Sequence, residues 1–207
     1  MNLKKLLAAC YLAALFIWLA HGAGVLVQTA WYAREGLAGQ RGIPFEELDP
    51  VAIKPYENEQ DPSGSWYVST DSDPRLYWEH TAWVRRVVLE LEHQKPGCGV
   101  ELYYKLPGQS DYSPRQVAYA RRDAAGRLVF DLGGQLVTGL RIDPDSVGGV
   151  LTRFDGLTLN PPQSWASVFV PGAGQWLLLL FLPLAAAALA AETGSLLGLP
   201  RQKRIRY

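Results

Sequence analysis

Two pairs of aspartates are the first residues in this chain whose spacing suggests chemistry. Asp71 and Asp73 lie in Ser69-Thr70-Asp71-Ser72-Asp73-Pro74, and Asp143 and Asp145 lie in Gly139-Leu140-Arg141-Ile142-Asp143-Pro144-Asp145. Carboxylates two residues apart on a loop can point at one calcium, a hard ion that takes about six to eight oxygen ligands. An Asp at such a position is also an ordinary turn starter whose side chain caps backbone N–H groups. Both readings stand at this stage, and no other cofactor is expected.

Aromatic residues carry the second signal. Trp66, Tyr67, Tyr77, Trp78, Trp83, Tyr103, Tyr112 and Tyr119 are dense in the middle of the chain. A flat ring with a polar tip suits the apolar face of a sugar, and it suits a protein core equally well. Trp66, Tyr77, Trp78, Tyr103 and Tyr112 are the candidate carbohydrate contacts.

Catalytic chemistry is poorly supplied. The sequence has no Gly-x-Ser-x-Gly elbow, phosphate loop or His-Glu-x-x-His pair, and nothing singles out two carboxylates as an acid and base. His80 and His93 have no cysteine pair nearby to make a zinc site. We expect a non-enzymatic protein. Lys plus Arg and Asp plus Glu both number 20, so there is no net positive charge to neutralise nucleic-acid phosphates. Cys10 and Cys98 fall in separate parts of the chain and are not expected to pair.

The elements that position these residues are legible from hydropathy. Leu6 to Ala30 and Val168 to Ala191 carry no charged side chain, and about 20 apolar residues suffice to cross a bilayer. Lys4 and Lys5 precede the first run, and Arg201, Lys203, Arg204 and Arg206 follow the second. Cytoplasmic flanks carry that excess, so both ends are expected inside and the segment between them outside. A cleaved signal peptide competes for the first run. Trp31, Tyr32, Trp165 and Trp176 are expected at the headgroup layer. Ala185 to Ala188 and Ala190-Ala191 allow close helix approach, so the helix of a membrane-protein partner, or the first span, could dock there.

Between the runs, residues 31–64 read as an extended lead-in and 161–167 as a linker. Strand signals recur at Trp66 to Ser69, Leu76 to Trp78, Trp83 to His93, Val100 to Leu106, Gln116 to Arg121, Leu128 to Leu132, Val137 to Ile142 and Val150 to Leu159. Val87 to Glu92 and Val100 to Leu106 alternate with period two, the mark of one buried face per sheet. Pro96-Gly97, Pro107-Gly108, Ala125-Gly126, Gly133-Gly134 and Gly148-Gly149 are the expected turns. The expected fold is mainly β: an antiparallel, jelly-roll-like β-sandwich over 65–160, between transmembrane helices at 6–30 and 168–191. Residues 1–5 and a basic tail at 192–207 complete it.

Three segments carry a resemblance: Ser69 to Pro74, Val100-Glu101-Leu102-Tyr103-Tyr104, and Gly139 to Asp145 with Gly148-Gly149. They resemble a galactose-binding-like, jelly-roll module that accompanies bacterial membrane proteins of cell-surface polysaccharide synthesis. The resemblance implies an ectodomain that binds glycan or packs on a glycan-handling partner at the bacterial inner membrane. A subunit of another membrane complex is the alternative. So is an exported protein with a processed tail, because Val170 to Trp176, the apolar run and the basic cluster resemble a carboxy-terminal sorting signal.

Overall fold

The computed structural model describes residues 3–62, 65–94 and 99–196. A long helix, α1 (Leu3–Arg34), leads into three short strands, β1 (Arg41–Ile43), β2 (Asp49–Val51) and β3 (Ile53–Tyr56). β4 (Trp66–Ser69), β5 (Arg75–Trp78), β6 (Ala82–His93), β7 (Glu101–Lys105), β8 (Val117–Tyr119) and β9 (Arg121–Arg122) follow. β10 (Leu128–Val137), β11 (Gly139–Asp143) and β12 (Leu151–Leu159) complete the strands before α2 (Ala173–Leu196). The chain divides into two compact units, one holding α1 to Val27 with the segment from Ser164, the other Gln28–Gln163.

The second unit is built from two antiparallel sheets. One runs β3-β4-β12-β6-β10-β9, with β1 also paired to β12; the other runs β2-β5-β11-β7-β8. Most connections pass from one sheet to the other, so residues distant in sequence meet on each face. Alternation sends one face of each sheet inward, where Trp78, Val84, Val87, Leu89, Leu102, Phe130, Leu140, Ile142, Leu157 and Leu159 form the core.

Several sequence expectations change here. The lead-in is a working part of the sandwich: β2 pairs with β5, β3 with β4 and β1 with β12. Strands of three or four residues give too few alternations to show a period. Gly133-Gly134 is a bulge inside β10, with the register against β6 shifting between Asp131 and Gln135. Both glycines have positive φ, 70° and 94°, a backbone that other residues rarely adopt. The segment Gln116 to Arg121 divides into β8 and β9, which belong to different sheets. Tyr32 stacks on Trp83 with ring centroids 4.7 Å apart, and Trp83 Nε1 donates to Thr29 Oγ1 at 3.2 Å. The end of α1 therefore packs with the sandwich, and Tyr32 has a protein partner.

In the other unit, α1 and α2 are each long and apolar enough to cross a membrane by length and composition. α2 starts at Ala173, after a 3-10 turn at Trp165–Phe169 in which the Ser164 hydroxyl accepts from the Ala166 N–H. The Phe169 ring lies against Gly22, where a Cβ would come within 2.4 Å of it. The Tyr11 hydroxyl donates to the Leu180 carbonyl at 2.8 Å. Pro183 stands inside α2. The Pro96-Gly97 turn, Cys98 and the basic residues Arg201, Lys203, Arg204 and Arg206 lie outside the described residues.

Candidate functional site

The outer face of the five-stranded sheet gathers most of the candidate rings. Because Leu76, Trp78, Leu102, Leu140 and Ile142 point inward, their neighbours Arg75, Tyr77, Glu101, Tyr103, Arg141 and Asp143 point out. Register then sets the rows. Asp49 stands opposite Tyr77, Tyr77 opposite Arg141, Arg141 opposite Tyr103, and Tyr103 opposite Val117. In the next row Asp143 stands opposite Glu101, and Glu101 opposite Tyr119.

Charges tie the rings down. The Arg141 guanidinium carbon is 4.9 Å from the Tyr103 ring centroid, and Arg141 Nε donates to Asp143 Oδ1 at 2.7 Å. Arg141 is also 3.6 Å from Asp73, which pairs with Arg75. Arg75 donates in turn to the Tyr77 hydroxyl at 3.3 Å. Tyr103 donates to Glu101 Oε2 at 2.5 Å.

Tyr112 joins from the loop between β7 and β8. Its hydroxyl donates to Glu79 Oε1 at 2.7 Å, Lys105 Nζ sits 5.2 Å from its ring centroid, and the Tyr77 ring is 5.7 Å away. Lys105 closes the group with a 2.5 Å bond to Glu79 Oε2. Gly139 makes the space, since a Cβ there would stand 2.6 Å from the Tyr112 hydroxyl and 2.8 Å from Glu79.

Protonation follows from these contacts. The hydrogen bond to Glu101, then burial, pushes the Tyr103 phenol up to about 12. Burial, then the bond to Glu79, pushes Tyr112 well above the usual phenol range. Burial opposes ionisation of Glu79, but hydrogen bonds from Lys105 and Tyr112 outweigh it and hold the carboxyl below its ordinary value. The Arg75 hydrogen bonds hold Asp73 low as well. At neutral pH the Tyr103 and Tyr112 phenols stay protonated donors, and Glu79 and Asp73 stay charged.

The structure brings Tyr77, Tyr103 and Tyr112 together and separates the other two rings. Trp78 is 1% exposed, in the core, because it shares the inward face of β5 with Leu76; this corrects its reading as a sugar contact. Trp66 lies on the seven-stranded sheet, half-buried, with Nε1 donating to Asp61 at 3.0 Å.

Two of the four aspartates cap loop backbone, and the other two share Arg141. Asp71 accepts from the Ser72 backbone at 2.6 Å, Asp145 accepts from Val147 N at 2.9 Å, and Asp73 and Asp143 face arginines. Among the described residues no group of three or more His, Cys, Asp or Glu side chains is placed to hold a metal ion.

Arg75, Glu79, Lys105, Gly139 and Arg141 were not selected from the sequence. Arg141 had a local signal, a lone charge between Leu140 and Ile142. Glu79 and Gly139 had none, because their roles depend on Tyr112 folding over from another part of the chain.

No family model matches the chain, and no curated protein does. Solved structures with some likeness include a xylan-binding module, CBM86, from Roseburia intestinalis. It is 10% identical, covers 59% of this chain and 95% of its own, and has a TM-score of 0.39. CBM6-3 from Clostridium stercorarium, solved with cellobiose, is 9% identical over 59% of this chain and 94% of its own, TM-score 0.37. A family 32 module from Clostridium perfringens NanJ, solved with galactose, is 11% identical over 58% and 98%, TM-score 0.37.

Proposed function

We propose that this chain is a non-enzymatic, membrane-anchored accessory protein that binds carbohydrate on the outer face of its five-stranded sheet. The observation that carries this reading is the row Tyr77, Arg141, Tyr103 with Tyr112 beside it. The hydroxyls of Tyr103 and Tyr112 are spent on Glu101 and Glu79. What such anchored rings offer a ligand is flat apolar surface bordered by charge-assisted hydrogen-bonding groups, which matches the mixed apolar and hydroxyl surface of a sugar.

The anchoring half of the reading draws on two helices of sufficient length and apolarity. Lys4 and Lys5 before the first helix and the basic residues after the second support a cytoplasmic location for both ends. The sandwich is then periplasmic or extracellular, in a cell-envelope setting where polysaccharide is made or exported.

The test is purification of the full-length chain in mild detergent, with binding measured on an array of neutral and acidic glycans. We expect binding that is lost in a Tyr77→Ala, Tyr103→Ala double variant with an unchanged melting profile. Absence of binding, or binding untouched by the double variant, would remove this function from this face. Cysteine labelling in intact cells and spheroplasts tests the topology independently.

A further inference from the structure

We infer that the face takes an uncharged, extended glycan of at least two sugar residues, laid across the strands. This inference rests on the carbohydrate reading above and specifies its ligand.

Neutrality follows from how the cations are used. Arg75 is paired with Asp73, Arg141 with Asp143, and Lys105 with Glu79. Arg141 and Lys105 are also largely covered, their side chains 19% and 14% exposed. An incoming carboxylate, sulfate or phosphate would have to displace one of those carboxylates from a charge-assisted bond. It would also approach Glu101 and Asp49, which stand in the same rows as Asp143 and Tyr77. A hydroxyl needs no such exchange. It can share the free edges of the paired arginines and carboxylates while its ring lies on a tyrosine.

Length follows from register. Tyr77 and Tyr103 flank Arg141 from the strands on either side. Two inter-strand steps place their backbones about 10 Å apart. One sugar ring cannot lie over both tyrosines, whereas a chain running along the row meets one ring, then the Arg141 guanidinium, then the other. Tyr112, 5.7 Å from Tyr77, widens the platform at that end.

The experiment uses the full chain in detergent and calorimetric titration. The probes are monosaccharides and tetrasaccharides of xylose, glucose, galactose and mannose, with tetragalacturonate as the acidic probe, each at low and high salt. We expect a neutral tetrasaccharide to bind at least about tenfold tighter than its monosaccharide, the gain of one added ring contact. We also expect little change with salt, since no ion pair forms with the ligand. Tyr77→Ala and Tyr103→Ala should each remove most of the chain-length advantage, while Tyr77→Phe and Tyr103→Phe, which keep the rings, should retain it.

Equal affinity for monosaccharide and tetrasaccharide would overturn the extended-chain inference. Preference for tetragalacturonate, weakening with salt, would overturn neutrality and leave carbohydrate binding standing. Binding to none of the probes would overturn this inference together with the reading on which it rests.

Discussion

Arg141 lies with its guanidinium carbon 4.9 Å from the Tyr103 ring centroid and at the same time donates through Nε to Asp143 at 2.7 Å. One side chain thus fixes a ring on β7 and a carboxylate on its own strand. Replacing it with Ala leaves Asp143, 15% exposed, without its main partner. We expect Arg141→Ala to lower stability by about 1–3 kcal/mol, the cost of stranding a half-buried polar partner. Urea denaturation measures it, and a change inside experimental error would mean that the pair is not held in solution.

Gly139 offers a steric test. A Cβ there would meet the Tyr112 hydroxyl at 2.6 Å and Glu79 at 2.8 Å. Gly139→Ala should push the Tyr112 hydroxyl and the Glu79 carboxylate aside, weakening glycan binding at a cost below about 1 kcal/mol, because both contacts are with the ends of flexible side chains. The double variant Gly139→Ala, Tyr112→Ala should recover most of that stability without recovering binding. Failure to recover would place the strain elsewhere.

The segment at the end of α1 is expected to matter for the sandwich. Trp83, 4% exposed, donates to Thr29 and stacks on Tyr32. Thr29→Val should strand the indole N–H and lower stability by about 1–3 kcal/mol. Sandwich fragments beginning at Gln28 should melt above fragments beginning after Tyr32. Equal melting temperatures would refute a role for this contact.

Acid sensitivity should centre on His93. Burial pushes its imidazole below the ordinary value, with Asp145 pulling the other way, and Nδ1 lies 2.8 Å from the Thr152 hydroxyl. A lowered folded value means the neutral ring is the favoured form. Its contribution is therefore complete above the ordinary histidine range and lost as pH falls through the folded value. Asp145 behaves oppositely. Burial raises its carboxyl, so its contribution is present at low pH and lost as pH rises through the folded value. Melting temperatures measured between about pH 5 and 8 should fall on the acid side in the native chain. That fall should flatten in His93→Gln, and Asp145→Asn should raise stability at the alkaline end. An unchanged acid-side slope in His93→Gln would assign the effect to other groups.

The sequence alone was enough for local periods and their consequences. Two uncharged apolar runs read as helices long and apolar enough to cross a membrane, and the alternation in β6 and β7 required sheets with one inward face. The extent of β4 could be read residue for residue from its flanking turn signals, Trp66 to Ser69. The four residues of β5 are too few to show a period, so Tyr77 and Trp78 stood together as candidate contacts. Which face would be covered was a matter for the second sheet, and it enclosed Trp78. Pairing is non-local: Tyr77 and Tyr103 meet across Arg141 only because β11 enters the sheet between β5 and β7, and no feature of any one strand announces its neighbours. The same holds for Gly139, whose missing side chain has meaning only once Tyr112 folds over it. Short-range sterics and hydrophobicity wrote the elements into the sequence, whereas the site arose from contacts between strands far apart in the chain, which only the packed tertiary structure selects.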